Sequence, residues 1–339
     1  MKSAAVAVAL FAACYAPHPA TGAQCDSDGA CPPGLVCVAS GTCELSNADS
    51  GPRLRDGCVP TLEICGDGID QDCDGADPTC PPNDEPAGAI DVSAGGTFTA
   101  DVRYAHADDD APTGCGKTER DVYYEITLAA DETIYFDTLG SDFGTSLRVY
   151  AAACTDPMVH DDASCNTGAC GAETSQLAVT LPAGTSCIVV AELDDTTKTG
   201  ALSLVVAHAG RTGSAAESQK AMSTMTGTTC GQGKQSTAGC VDTSNTAPDV
   251  GFWVLTCPGG ALIDANTCNA GNSYDTNVYV DQVGGAELAC NDDDSGLCTT
   301  NPNDGGVANV AVSGPGMVWV ILDGFGTNCG TYSLTVNVH

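Results

Sequence analysis

Residues 121–128 read DVYYEITL, and residues 249–255 return to the same pattern as DVGFWVL. β-branched and aromatic residues dominate both stretches, so each is predicted to form a β-strand. Gly, Pro and Asp turns separate the strand-like stretches, and no helical period lies between them. The sequence therefore predicts an all-β fold of antiparallel β-sandwiches. The strands predicted around the first stretch are 97–102, 133–138, 145–150, 176–181, 187–192 and 200–206.

The second half of the chain follows the order of the first half. We therefore predict two tandem, jelly-roll-like sandwiches, over 81–209 and 227–339, joined by a Ser/Thr-rich linker over 210–226. The segments that match are 274–280 with 142–150, 310–321 with 177–190, and 330–336 with 200–206.

This order of motifs resembles the pre-peptidase C-terminal domain over most of residues 90–338. The resemblance rests on the two stretches quoted above, on the PAG turn at 182–184 and on the closing strand at 200–206. It implies β-sandwich domains of the kind that usually accompany secreted proteases. Both copies depart from the family in their many cysteines, and the second copy has SGPG at 313–316 in place of PAG.

The charge and the cysteine content limit the class of protein. Acidic residues outnumber basic residues 44 to 11, and the net charge is −33. Such a chain repels nucleic acids and anionic membrane surfaces, and it attracts divalent cations. The 21 cysteines lack the Cys-x-x-Cys spacing of zinc modules, so they indicate an oxidising compartment and a disulfide framework.

Residues 1–14 (MKSAAVAVALFAAC) have the features of an export signal, because a Lys precedes an apolar run too short to span a bilayer. Residues 11–14 resemble a bacterial lipobox. This resemblance implies a signal peptide over 1–13, lipidation of Cys14, a tether over 14–24 and anchoring in the outer membrane. The alternative is an ordinary signal peptide cut later, for example after Ala23, which would release a secreted or periplasmic protein.

The next segment, 25–43, contains four cysteines at intervals of six: Cys25, Cys31, Cys37 and Cys43. A segment this small cannot bury a core, so two disulfides must hold it, and three pairings are open. It resembles small Cys-rich modules near the N-termini of myxobacterial surface lipoproteins. A polar linker over 44–57 follows.

Residues 65–80 read CGDGIDQDCDGADPTC and belong to a Cys- and Asp-rich loop over 58–80. Alternating carboxylates followed by Gly75 are typical of calcium loops, in which successive side chains converge on the ion. Pro81 stands where an EF-hand requires Glu, so the loop is of the shorter DxDxDG kind. The alternatives are an acidic turn pinned by disulfides without an ion, and a zinc site, which the cysteine spacing disfavours. The predicted Ca²⁺ ligands are Asp67, Asp70, Asp72, Asp74 and Asp77.

The same stretch resembles an Asp/Cys-rich metal-binding repeat of deltaproteobacterial surface proteins. It is also similar to thrombospondin type-3 loops. With the lipobox, these resemblances imply a bacterial surface lipoprotein whose stalk binds a metal ion.

The remaining cysteines divide unevenly, with five in the first half and seven in the second. Either one disulfide crosses between the halves or each half keeps a thiol. We predict the short-range pairs Cys165–Cys170 and Cys290–Cys298, and less directly Cys154–Cys187. Cys65 and Cys73 are further disulfide candidates.

The sequence shows no catalytic signature. It contains no HExxH, GxSxG, P-loop or GxGxxG motif, and His106, His160 and His208 lie in no paired spacing. Acidic clusters recur between the predicted strands, where either calcium binding or turn chemistry explains them. A second calcium site is predicted at Asp292, Asp293 and Asp294. Trp253 and Trp319 lie in apolar strands and are predicted to pack in the interior rather than stack on sugars.

The sequence thus predicts a non-enzymatic surface lipoprotein that acts as a calcium-stabilised binding or adhesion module. Its partner would be an extracellular polysaccharide or protein, and nucleic acid is excluded. Two alternatives remain open. One is an ancillary substrate-binding protein for secreted hydrolases, and the other is a purely structural component of the envelope.

Overall fold

The computed structural model describes most of the chain after residue 60 and short parts before it. The predicted signal peptide, Cys14 and the acidic pairs at 161–162 and 194–195 lie outside the described residues. The chain forms two compact units, 1–62 with 70–76 and 63–69 with 77–339. Among the described residues, no helix is long and apolar enough to cross a membrane. The described residues are 23–25, 31, 35–37, 41–45, 60–61, 63–110, 112, 114–116, 119–155, 164–166, 168–192, 200–215, 222–241, 244–268, 271–284 and 286–339.

The N-terminal unit contains a small antiparallel sheet. Its strands are β1 (Ala23–Gln24), β2 (Leu35–Cys37) and β3 (Thr42–Leu45), in the order β1-β3-β2. Two disulfides hold this sheet, as predicted. They select one of the three possible pairings, Cys25–Cys37 and Cys31–Cys43.

The first sandwich consists of two facing sheets. One sheet has the order β4-β6-β11-β8-β9, and the other has the order β10-β7-β12-β5. All neighbouring strands run antiparallel except the short pair β4 and β6. The strands are β4 (Ile90–Asp91), β5 (Gly96–Asp101), β6 (Asp121–Leu128), β7 (Glu132–Asp137), β8 (Thr145–Tyr150), β9 (Ser164–Asn166), β10 (Gln176–Leu181), β11 (Gly184–Glu192) and β12 (Ala201–His208).

Alternation along the strands builds the core of the first sandwich. On β6, Val122, Tyr124 and Ile126 face the opposite sheet, whereas Tyr123 faces outward. Complete burial of one such aliphatic side chain stabilises a fold by about 1.5–3 kcal/mol. The alternating pattern of DVYYEITL therefore corresponds to side chains that face the core in turn with side chains that face outward, and for this reason it predicted the fold. The fully buried members of the core include Val122, Tyr124, Ile126, Ile134, Phe136, Leu147, Ile188 and Leu204.

The second sandwich repeats this arrangement with sheets β13-β15-β20-β17-β18 and β14-β21-β16-β19. The strand β13 lies in the segment 210–226 that was predicted to be a linker, and β14 begins in it, so the second sandwich begins earlier than expected. The strands are β13 (Ser214–Ala215), β14 (Ser223–Thr228), β15 (Val250–Thr256), β16 (Ala261–Asn266), β17 (Thr276–Gln282), β18 (Glu287–Asn291), β19 (Gly306–Val312), β20 (Gly316–Gly324) and β21 (Thr331–Val338).

The two sandwiches share features beyond strand order, which confirms the predicted fold class of tandem β-sandwiches. In each copy a disulfide joins a loop to the edge of the first-listed sheet across 50 residues, as Cys115–Cys165 and as Cys240–Cys290. Two buried threonine hydroxyls also hydrogen-bond at the same end of each core. These pairs are Thr138 with Thr145, and Thr267 with Thr276.

The sandwiches pack on each other through a third apolar cluster. Tyr135 and Ala178 of the first sandwich contact a group from the second that includes Tyr279, Met317 and Trp319. The contributing strands are β7, β10 and β12 on one side and β15, β17 and β20 on the other. Four sheets are thereby stacked in one body, with an apolar layer between each pair.

Trp253 and Trp319 are neighbours across β15 and β20. Their rings meet edge to face with centroids 5.8 Å apart, and Trp319 is 2% exposed. The prediction of interior packing is therefore confirmed for Trp319, whereas Trp253 is half-buried and packs against the same cluster. The interior that they occupy is the contact between the sandwiches, which the sequence did not indicate.

Arg211 links the segment between the two sandwiches to the apolar contact that they form. Its guanidinium carbon lies 5.1 Å from the ring centroid of Trp319, and its Nη2 donates to Asp249 Oδ1 at 2.7 Å. Asp249 is fully buried and also accepts the backbone N–H groups of Gln235 and Ser236. A buried carboxylate needs such partners, so residues around 211 are a structural part of the interface.

One disulfide crosses between the two sandwiches, as Cys170–Cys257. This outcome is one of the two that the uneven cysteine count left open. Beside it, Gln176 Nε2 donates to the Tyr135 hydroxyl at 2.8 Å and to the Thr256 carbonyl at 3.0 Å. The crossing is therefore both covalent and hydrogen-bonded.

The predicted pairs Cys165–Cys170 and Cys290–Cys298 are wrong. Cys165 lies on β9 and bonds Cys115, so Cys170, in the turn beyond β9, reaches the second sandwich instead. In the second sandwich, Cys290 bonds Cys240 rather than Cys298, and Cys298 bonds Cys268. The predicted pair Cys154–Cys187 is confirmed, and the remaining long-range pair is Cys230–Cys329.

We expect replacement of Cys170 and Cys257 by Ala to lower the free energy of unfolding by about 2–4 kcal/mol, because the unfolded chain regains the entropy of an open loop. Guanidinium unfolding under non-reducing conditions measures this. The variant should also unfold in two resolved transitions, since the sandwiches lose their covalent link. In the control, Ala replaces Cys154 and Cys187 within the first sandwich, and the sandwiches should remain coupled. An unchanged single transition in the Cys170/Cys257 variant would contradict the coupling role.

Candidate functional site

The predicted calcium ligands within the N-terminal unit cap the turns of their own loop. Asp70 Oδ2 accepts the N–H of Gly75 at 2.9 Å. Asp72 Oδ1 accepts the N–H of Asp74, and Asp74 Oδ1 accepts the N–H of Ala76, each at 2.9 Å. Gly75 has a φ of +97°, a conformation that only glycine adopts readily. The alternation Asp70, Asp72, Asp74 thus fixes three carboxylates on consecutive turns.

Asp67 and Asp77 belong to the second unit. Asp77 accepts the N–H groups of Gly66 and Gly68, both at 2.7 Å, one on each carboxylate oxygen. Asp67 Oδ1 accepts the N–H of Ile69 at 2.8 Å. Asp77 therefore organises the backbone beside the disulfide Cys65–Cys80.

The donor chemistry of this loop is that of a hard cation. The cysteines Cys65 and Cys73 are both oxidised, Cys65 to Cys80, and so they offer no thiolate to zinc. Carboxylate oxygens are the ligands that Ca²⁺ takes. Calcium at the predicted aspartates stays a prediction, and the residues present fit it.

The second predicted site, Asp292–Asp294, lies at one end of the second sandwich. Asp294 acts as a turn cap, because its Oδ1 accepts the N–H groups of Gly296 at 2.9 Å and Leu297 at 2.8 Å. Burial raises the pKa of Asp292 to about 6, and the charges of Asp275 and Asp293 add to the effect. Asp294 therefore caps a turn, whereas the carboxyl of Asp292 is partly buried and binds its proton more tightly.

Two further aspartates of this end were missed in the sequence. Burial raises the pKa of Asp275, with Asp293 and Asp304 adding to it, and burial likewise raises the pKa of Asp304. Asp304 is 1% exposed and accepts from Asn301 Nδ2 at 2.9 Å. Asp275 precedes β17 and Asp304 precedes β19, so the fold alone brings them together.

Asp281, on β17, is another carboxyl that the fold perturbs. Burial raises its pKa to about 6, Glu287 adds to the effect and Arg211 opposes it. Its Oδ1 is buried without a hydrogen-bond partner. A carboxyl in this state binds its proton more tightly in the folded protein than in the unfolded chain.

A cleft of about 580 Å³ lies where the two sandwiches meet. The first sandwich contributes the outer face of its β7, β12 and β5 strands, through Thr97, Ser203 and Val205. The second contributes the ends of β17 and β20, through Gln282 and Met317. Because the crossing disulfide and the Trp319 cluster hold both walls, this cleft is formed before any ligand arrives.

The polar groups of the cleft are few and well placed. Asp137 is 4% exposed, burial raises its pKa, and its Oδ1 accepts the N–H of Leu139 at 3.0 Å. Tyr135 lies beside it, with its pKa also raised by burial and by the charge of Asp137. Among the described residues that line the cleft, none is basic. Neutral or cationic groups are therefore favoured there over anions.

The sequence contained no signal for this cleft. Its walls come from strands that are far apart in the chain, β5 and β12 on one side and β17 and β20 on the other, so no local pattern of residues marks it. The one indication was indirect, since the uneven cysteine count allowed a bridge between the halves.

No known protein-family model matches the chain, and a search of curated proteins found no relative. Solved structures give distant likenesses only. A protein of Eubacterium rectale described as secreted has 12% identity, with 71% of this chain and 72% of that chain covered, at a TM-score of 0.20. The CUB1-EGF-CUB2 part of human MASP-1/3 has 10% identity, with 72% and 99% covered, at a TM-score of 0.18. The ANX2 ectodomain of Arabidopsis thaliana has 10% identity, with 72% and 89% covered, at a TM-score of 0.19.

We expect Ca²⁺ to bind the loop aspartates with a Kd of about 10⁻⁴–10⁻³ M, the range of extracellular calcium modules. Calorimetric titration of the exported protein measures this affinity. Replacing Asp70, Asp72 and Asp74 by Asn should abolish the corresponding heat. The matched control replaces Asp292, Asp293 and Asp294 by Asn and should keep it. Heat that survives in the loop variant would place calcium elsewhere.

We expect Asp281→Asn to stabilise the protein at pH 7.5 and to leave it nearly unchanged at pH 4. The folded pKa of Asp281 is about 6 against an ordinary 3.8, so its stabilising contribution is complete below pH 4 and is lost as the pH rises through 6. After solvent screening, the difference should reach about 1 kcal/mol. Unfolding free energies at both pH values measure it.

The control is Asp264→Asn, whose effect should have the opposite sign. The hydrogen bond from the Asn309 N–H lowers the pKa of Asp264, so its contribution is present at neutral pH and is lost on acidification. Equal effects of Asp281→Asn at both pH values would show that burial does not perturb this carboxyl.

Proposed function

We propose that this chain is an exported, non-enzymatic binding module whose ligand occupies the cleft between the two sandwiches. The observation that carries the proposal is the position of the cleft, between two walls joined by Cys170–Cys257. Domain junctions of this kind are a common location for ligand sites. The many disulfides support an oxidising, exported location, since they persist only there.

The lining favours an extended polypeptide over a polysaccharide. Small apolar residues such as Val205, Ala207 and Pro258 alternate with hydroxyl and amide groups. Sugar-binding clefts usually offer an exposed aromatic platform, whereas both tryptophans pack into the contact between the sandwiches. With Asp137 in the wall and a net charge of −33, the peptide should carry neutral or basic side chains.

Calcium belongs to the same proposal as a stabiliser of the loop before the first sandwich. Asp70, Asp72 and Asp74 lie on consecutive turns of this loop, and a bound divalent cation offsets the repulsion between their charges. The role proposed for the ion is to stiffen the chain, while the cleft makes the contact with the partner.

The test is a substitution that places a large side chain at the edge of the cleft. Thr97 is exposed on β5 and lines the cleft, so Thr97→Trp should block it without disturbing the core. Peptides selected from a random display library on the wild-type protein should bind this variant at least tenfold more weakly. The control, Thr226→Trp, places the same ring on an exposed strand position of the second sandwich and should bind normally. Equal binding by wild type and Thr97→Trp would sink the proposal, as would a selection that yields no peptide.

A further inference from the structure

The segment 81–86, which precedes β4, is docked on the first sandwich. Asn83 is fully buried, its Nδ2 donates to the Tyr123 carbonyl at 3.0 Å, and its own carbonyl accepts the N–H of Tyr123 at 2.9 Å. Asp84, the next residue, is 3% exposed. This docking brings the segment against the loop between β5 and β6, which contains His106 and Asp108.

Both carboxylate oxygens of Asp84 lie within hydrogen-bond distance of His106. Asp84 Oδ1 accepts the backbone N–H of His106 at 2.8 Å, and Asp84 Oδ2 lies 2.6 Å from the ring Nδ1. A carboxylate can only accept, so Nδ1 carries the proton and donates. The ring is therefore fixed in orientation, and in the neutral imidazole Nε2 presents its lone pair. A buried carboxylate behind a histidine in this way is the usual support of a metal-ligating imidazole.

Two carboxylates converge on the same imidazole. One ligand atom each from Glu85, His106 and Asp108 lies within 4.8 Å of the other two. Ligand atoms held at 2.0–2.2 Å in a tetrahedral site lie about 3.3–3.6 Å from one another, so binding an ion requires these atoms to move closer together by at most about 1.5 Å. Glu85 and Asp108 are exposed and can make such shifts. Burial acts to lower the pKa of His106, yet Asp84, Asp108 and Glu85 together raise it, which records the negative potential at the ring.

We propose that Glu85, His106 and Asp108 form a site for a divalent transition-metal ion of the Zn²⁺ class, with Asp84 as the positioning residue behind His106. One imidazole and two carboxylates, completed by water, are a donor set that zinc accepts. Calcium prefers six to eight oxygen ligands and no nitrogen, so this site differs in kind from the aspartate loop. Cys65 and Cys80 lie close to Asp84 and His106 but are joined in a disulfide and contribute no thiolate.

The chain offers a matched control histidine. His208, on β12, has a side-chain exposure of 31% against 32% for His106, and its Nδ1 also faces a carboxylate, Glu132 Oε2, at 3.1 Å. Its Nε2, however, lies 3.0 Å from the Ser93 carbonyl. Both ring nitrogens of His208 are therefore engaged, and it has no position for a metal.

The experiment titrates Zn²⁺ into the EDTA-treated, full exported protein in saturating Ca²⁺, so that the calcium loop is filled. We expect one Zn²⁺ site by calorimetry. Its affinity should fall at least 100-fold in His106→Gln, should fall about 10–100-fold in Asp84→Asn, and should stay unchanged in His208→Gln. Co²⁺ should give visible d–d absorption in the wild type and in His208→Gln but not in His106→Gln.

Glu85→Gln and Asp108→Asn keep the test decisive if the His106 variant fails to fold, because both side chains are exposed. Each should weaken Zn²⁺ at least tenfold with an unchanged melting temperature. The proposal is overturned if the wild-type protein binds no Zn²⁺. It is also overturned if folded His106→Gln, or both carboxylate variants, bind Zn²⁺ as the wild type does.

Discussion

The contact between the two sandwiches is the constraint on which the rest of the structure depends. Arg211 lies over the ring of Trp319 in this contact and pairs with the fully buried Asp249. Removing either charge would leave the other buried without its opposite charge, so the two charges depend on each other. The contact therefore has a defined geometry, and the cleft that opens beside it inherits that geometry.

The first sandwich supplies different hydrogen-bond partners to the aspartate at the equivalent position. Asp121 also begins its strand fully buried and accepts two consecutive backbone N–H groups, those of Asp108 and Asp109. Beside it, the neighbouring Asp109 pairs with the buried Arg148. The repeat thus conserves a backbone-capping aspartate, and only the second copy uses it to join two domains.

The sequence predicted most of the architecture and little of the surface. Strands such as 121–128 carry their own signal, because alternation and β-branching are local properties. Disulfide partners are not local. Cys165 pairs with Cys115, 50 residues away, rather than with Cys170, because the antiparallel sheet and not the chain decides which thiols meet. Closing a long loop costs only slightly more entropy than closing a short one, so proximity in sequence was a poor guide.

The candidate sites show the same division. The alternation of Asp70, Asp72 and Asp74 is visible in the sequence, and the turns they cap follow from it. The sequence predicted no site at His106, because nothing local shows that Asp84 is buried behind it. Burial of Asp84 follows from the docking of Asn83 on β6. Asp84 and His106 are not neighbours in the sequence, so only tertiary structure brings them together. The same holds for the residues that line the cleft, such as Thr97 and Met317.

The two copies also differ in how they treat the end of the core that carries the threonine pair. The first copy has Gly144 before β8 and Thr174 before β10, where the second has Asp275 and Asp304. Added carboxylates raise one another's pKa at that end, and with 44 acidic residues against 11 basic ones few cations of the chain can offset them. Such repulsion favours the expanded chain. Disulfides act on the unfolded state instead, by removing its entropy, and their effect does not depend on salt or on bound cations. A chain that concentrates negative charge at the ends of its sandwiches and in its loops can therefore remain folded. Its carboxylates then stay available to bind ions.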